Sequence, residues 1–142
     1  MKAYSSTIEM VRTGRPVVKS PRGTLVEIRV RTVSWSSVGH LSAKLGITAA
    51  ELLPVVGISE RTALRRQKEG YLKPDEADRL LRVGRVLEEA SRVFGSEAKA
   101  ARWLREPSVM FSDAAPLALL ESDAGTQTVT EELIRIDFGD FA

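Results

Sequence analysis

Four cations fall within a short segment: Arg61, Arg65, Arg66 and Lys68, just after the tripeptide Gly57-Ile58-Ser59. On a helix, Arg61, Arg65 and Lys68 stand at i, i+4 and i+7 and share one face. Thr62 and Arg66 adjoin that face, and Ala63 and Leu64 are expected to turn inward. Guanidinium groups arrayed in this way grip phosphate oxygens and bind guanine edges through two hydrogen bonds at once. The plainer reading is a solvated basic face paired in part with Glu60 and Glu69. The preceding turn and capping serine favour the first, so Ser59, Arg61, Thr62, Arg65, Arg66 and Lys68 are the candidate DNA-binding residues.

No other constellation promises chemistry. His40 is the single histidine and has no companion nucleophile or carboxylate in any recognised spacing. Cysteine is absent, so thiolate metal sites and disulfides are excluded. The adjacent pairs Glu88-Glu89 and Glu131-Glu132 diverge around a helix and read as solvated surface rather than metal ligands. No glycine-rich loop cradles phosphates. Trp35 and Trp103 are too few for a stacking platform along single-stranded nucleic acid and read as packing residues. The expectation is a protein that is not an enzyme, with no catalytic residues, cofactor or metal.

The elements that must carry the basic face are short and well punctuated. Val38, Leu41 and Leu45 give one apolar stripe, closed by Gly46. Thr48 and Glu51 form a capping box that opens the next helix, which Pro54 should shorten. Ser59 caps a third helix running to about Lys68, with Gly70 beyond it. Two short helices joined at Gly57-Ile58-Ser59 match a helix-turn-helix: the glycine permits the corner and Ile58 plugs it. Pro74, Asp75 and Glu76 start a longer helix with Ala77, Leu80, Leu81, Leu87, Ala90 and Phe94 on its stripe and Gly84 leaving room for a close neighbour. A helix around Trp103 and Leu104 stops at Pro107. A short one starts at Pro116, and a last one runs from Asp123 to about Asp137.

Charge divides the 142 residues unevenly. Residues 1–70 hold twelve Lys/Arg against five Asp/Glu, and residues 71–142 hold nine against fourteen. A basic half suits a polyanion and an acidic half is repelled by one. Residues 1–33 mix Arg12, Arg15, Lys19 and Arg22 with glycine and proline and read as an extended arm. The alternation from Leu25 to Val33 suggests a short strand that pairs with the arm or with a second copy of the chain. No apolar run approaches membrane-spanning length, and Met1 to Thr13 lacks the core of a signal peptide. The cytoplasm is the expected compartment.

The second half carries an ordered series: Phe94-Gly95, Ala98, Ala101-Arg102-Trp103-Leu104, Pro107, Pro116 through Leu120, Gly125, Val129, Leu133, Ile136 and Phe138-Gly139. This series resembles the toxin-binding domain of the Xre/ParS/MbcA antitoxins. Gly57-Ile58-Ser59, Thr62 and Arg65-Arg66 resemble the helix-turn-helix of the same family, so the likeness covers roughly residues 38–142. It implies a RES-domain toxin as partner, one that destroys NAD. It further implies that the antitoxin blocks the toxin active site and represses their shared operon. The acidic tail and the resemblance together make Asp137, Phe138, Gly139, Asp140, Phe141 and Ala142 the candidate toxin-binding residues, with Asp140 and the terminal carboxylate as anions where the NAD pyrophosphate would lie and Phe141 in an apolar pocket. The plainer reading is a functionless terminus, with inhibition carried by the domain surface.

The resulting expectation is an all-α protein: an arm over 1–33, a helix-turn-helix DNA-binding domain over 34–85, and a small helical toxin-binding domain over 86–142. Its partners are a RES-domain toxin and double-stranded operator DNA. A homodimer is expected because one helix-turn-helix makes too few base contacts for useful specificity. The competing reading is a free-standing dimeric helix-turn-helix regulator with no toxin partner.

Overall fold

The computed structural model describes residues 17–19, 25–27 and 32–139, which fall into two units divided after Thr32. In the first, β1 (Val17–Lys19) pairs antiparallel with β2 (Leu25–Glu27), Val18 opposite Val26. Of the strand expected over Leu25 to Val33, Leu25–Glu27 is present and pairs with the arm; residues 28–31 lie outside the described residues, and Thr32 and Val33 belong to no strand.

The second unit is helical. α1 (Ser36–Leu45) buries Val38, Ser42 and Leu45 and ends at Gly46. α2 (Ala49–Leu52) is a single turn held by a complete capping box: the Glu51 amide donates to Thr48 Oγ1 at 3.1 Å, and the Thr48 amide donates to Glu51 Oε1 at 3.3 Å. It stops before Pro54, as a residue without an N–H requires. α3 (Glu60–Glu69) starts at Ser59, whose hydroxyl accepts from the Thr62 amide at 3.1 Å. The backbone on either side of α1 to α3 is tied together, the Leu72 amide donating to the Val33 carbonyl and the Trp35 amide to that of Gly70, both at 2.9 Å.

α4 (Pro74–Phe94) is the spine. It buries Glu76, Ala77, Leu80, Val83, Val86, Leu87 and Ala90; the two valines lie outside the expected stripe, and Leu81 and Phe94, which belong to it, are half-buried at its margin. Pro74 fills its first position and the Lys73 amide finds its acceptor in Glu76 Oε1 at 2.9 Å, so the helix start is capped from inside the helix. α5 (Glu97–Arg105), a 3-10 turn (Val109–Phe111), α6 (Pro116–Leu119) and α7 (Asp123–Asp137) complete the chain. One buried cluster runs from Val33 through Leu45, Val56, Val83 and Leu104 to Leu133. The division expected between residues 85 and 86 falls inside α4, which contributes to that cluster on both sides of it. Trp103 is half-buried, its ring 5.4 Å from that of Phe94 and 6.3 Å from that of Phe111.

Three arginines close the ends of other elements, where carbonyls lack helical partners. Arg79 Nε donates to the Val56 carbonyl at 2.7 Å, Arg82 Nη2 to that of Leu120 at 2.9 Å, and Arg105 Nη1 to that of Leu45 at 2.7 Å. Two of them reach from α4 to the turn after α2 and to the end of α6. The spine thus fixes the position of both candidate surfaces.

Candidate nucleic-acid and partner interfaces

The turn between α2 and α3 is built on Gly57, whose φ of 66° lies in the left-handed region that a Cβ disfavours. Ile58 is buried beneath the corner, as its type predicts. Arg79 closes over the same turn, so α3 is held from below by Ile58 and Ala63 and from the side by α4.

On α3 the outward face consists of Arg61, Leu64, Arg65 and Lys68, all exposed. None of the three cations pairs with a carboxylate among the described residues. Their charge is therefore fully available to an external anion. Ser59 is exposed at the helix start, and its hydroxyl lies 3.0 Å from that of the half-buried Thr62, so both side chains serve the cap.

Arg66 does not join this face. It is 3% exposed, and its Nε donates to Glu76 Oε1 at 2.7 Å while Nη1 reaches Glu69 at 3.2 Å. The reason is angular: Arg66 follows the buried Ala63 by three residues and so points toward α4. Burial alone would push the Glu76 carboxyl up, but the Arg66 hydrogen bond, the Lys73 amide and the Arg66 charge together hold it below its ordinary value. Leu64 is the second correction. Expected to turn inward, it is 64% exposed. Its spacing of three from Arg61 and four from Lys68 already assigned it to their face.

The acidic half divides in a similar way. Asp123 pairs with Arg82, Asp137 with Arg92 at 3.2 Å, and Glu132 with Arg135 at 2.8 Å. Arg92 also holds Glu89 below the usual carboxylate range through a hydrogen bond. Glu106, Asp113, Glu121 and Glu131 remain exposed. At the end of α7, Ile134 and Phe138 lie one turn apart, 45% and 81% exposed, and Gly139 turns the chain out of the helix at φ 70°. The structure thus brings Asp137, Phe138 and Gly139 together at one corner; Asp140, Phe141 and Ala142 lie outside the described residues. Among the described residues no three His, Asp or Glu side chains converge as a metal site, and no helix is long and apolar enough to cross a membrane.

Two family models match the chain. Residues 24–85 match the Antitoxin Xre-like helix-turn-helix domain, and residues 89–139 match the Antitoxin Xre/MbcA/ParS C-terminal toxin-binding domain. Among curated proteins, the Antitoxin Xre of Yersinia enterocolitica is 33% identical over 105 residues, 72% of this chain and 70% of that protein. That of Photorhabdus laumondii is 29% identical over 119 residues, 82% of this chain and 74% of the relative. That of Pseudomonas putida is 39% identical over 75 residues, 53% of this chain and only 47% of the relative.

Proposed function

The chain belongs to the Xre antitoxin family, and from that premise we propose that it silences a cognate toxin through its C-terminal half and represses its own operon through α3. The toxin we infer is a RES-type enzyme that degrades NAD, and the silencing is occlusion of its active site. The compartment is the cytoplasm, and the DNA-bound form is a homodimer on a palindromic operator.

The observation that carries the DNA reading is the outward face of α3, where Arg61, Arg65 and Lys68 stand exposed beside a glycine turn, without carboxylate partners among the described residues. Such a helix presents its early residues to base edges while neighbouring cations hold phosphates. Replacing Arg61 and Arg65 by alanine is expected to weaken operator binding and to reduce the slope of log affinity against log salt by about 0.9 for each phosphate no longer neutralised. Because both side chains are exposed, the melting temperature should hold. Unaltered affinity and salt slope in a gel-shift titration would overturn the assignment.

The toxin reading draws on the corner where α7 ends. Ile134 and Phe138 offer apolar area there, and residues 106–142 hold eight Asp/Glu against a single Arg135, a combination suited to an enzyme cleft that must present cations or N–H groups to a pyrophosphate. Asp140 and Phe141 add an anion and an apolar ring to the same stretch of sequence. Alanine at Phe138, Asp140 and Phe141 together is expected to leave the helical unit folded and to release NAD degradation when toxin and antitoxin are co-expressed. If NAD stays protected and the two proteins still copurify, inhibition arises elsewhere on the domain. If no RES-type protein copurifies with the unaltered chain, the free-standing regulator is the better description.

A further inference from the structure

Single exposed leucines are ordinary on protein surfaces. Leu64 is set apart by its company: it sits amid the cations of α3, with Arg61 three residues before it, Arg65 directly after it and Lys68 four residues on, all on one exposed face. A protein partner or second copy covering Leu64 would have to desolvate those three charges around a single apolar side chain, at a cost that burying one leucine would not recover. A nucleic-acid duplex makes no such demand. Its phosphates flank the groove and take the cations, and the groove floor meets the side chain between them.

On the floor of the major groove, thymine alone offers an apolar group, its C5-methyl. Leu64 is the fifth residue of α3, within the early turns that a helix-turn-helix directs at base edges. We infer that Leu64 selects thymine by packing on its methyl group in the major groove, which makes it a specificity residue of the operator complex. The inference rests on the reading of α3 as the DNA-binding helix. It assigns the four outward residues of α3 two roles: charge for affinity from Arg61, Arg65 and Lys68, and base discrimination from the leucine among them.

The test begins with duplexes selected by the full-length protein from a random pool. Each thymidine in the selected site is then replaced by deoxyuridine, which removes the methyl and nothing else. The unaltered protein is expected to lose about fourfold in affinity at one position per half-site, the effect of one buried methyl group. Leu64→Ala should bind the thymine site about fourfold more weakly and no longer distinguish the two bases there, while its melting temperature and toxin copurification hold. Full thymine–uracil discrimination by Leu64→Ala, or none by the unaltered protein at any position, overturns the inference and leaves DNA binding standing. A shift in oligomeric state or loss of the toxin, with DNA affinity unchanged, would assign Leu64 to a protein interface instead. Failure to enrich any duplex sinks the DNA reading, and Leu64's role with it.

Discussion

Gly125→Ala is expected to destabilise the helical unit by about 2–3 kcal/mol, whereas Gly84→Ala is expected to stabilise it. Alanine is the better helix former by about 1 kcal/mol at an open position, so propensity alone gives both changes the same sign. Space separates them. A Cβ built at Gly125 overlaps the Leu119 carbonyl oxygen, a backbone atom that no rotamer change can move. The first turn of α7 would have to back away from the end of α6, where Leu120 is fully buried and its carbonyl is held by Arg82. Overpacking of this kind costs about 1–3 kcal/mol and more where backbone must shift, which outweighs the gain in propensity. At Gly84, in the middle of α4, an added Cβ meets nothing within 4 Å, so about 0.5–1 kcal/mol of stabilisation should appear undiminished. Urea titration with circular dichroism reads both. A destabilised Gly84→Ala would mean that something packs on that open stretch of α4. A neutral Gly125→Ala would mean that the corner between α6 and α7 is slack. Toxin binding should fall with Gly125→Ala, since α7 carries the proposed inhibitory corner.

The two glycines also show where sequence reasoning reaches and where it stops. Helix ends are legible because their signals are local: Thr48 with Glu51 and Ser59 with Thr62 each sit three residues from what they satisfy, and Pro74 stands at the first position of its own helix. Gly84 reads as a packing gap and is open, and the close approach lies at Gly125 instead, because what faces a glycine belongs to another element. The same limit hides Arg79, Arg82 and Arg105, which look like surface charge in the sequence and close the carbonyl ends of elements 23, 38 and 60 residues away. Of the candidate DNA-binding residues, Arg61, Arg65 and Lys68 need only helical spacing to be grouped. Arg66 stands three residues after Ala63, so its inward angle is readable, but what makes burying a guanidinium tolerable is Glu76, which lies across a turn on another helix. Leu64 is different in kind. Its angle is readable, and the general rule that leucines face inward points the other way.

The buried pair at Arg66 and Glu76 gives the other large expected effect. Glu76→Gln should cost about 3 kcal/mol, because it leaves a guanidinium enclosed with only the half-exposed Glu69 as counter-ion. The pair is also a seam: Arg66 belongs to α3 and Glu76 to the first turn of α4. Its loss should therefore weaken operator binding although neither group is on the outward face. Replacing both partners by apolar residues of similar size, Arg66→Met with Glu76→Leu, should restore part of the stability, since no buried charge is then stranded although the Lys73 amide loses its acceptor. A stability deficit as large in the double variant as in Glu76→Gln would show that the charges themselves are required. Acid gives an independent check. The Glu76 carboxyl titrates below its ordinary value of 4.5 in the folded chain, so the unfolded chain takes up the proton first as pH falls. The stabilisation from Glu76 is complete above the ordinary value and is lost as pH drops through the lower folded one. Glu76→Gln removes that titration. Its stability should fall less steeply in acid than that of the unaltered protein, and the two curves should converge below the folded value while staying separated at neutral pH. Parallel curves across the acid range would mean that Glu76 is not ion-paired in solution, and that α3 is held by Ile58, Ala63 and the Arg79 contact to the preceding turn.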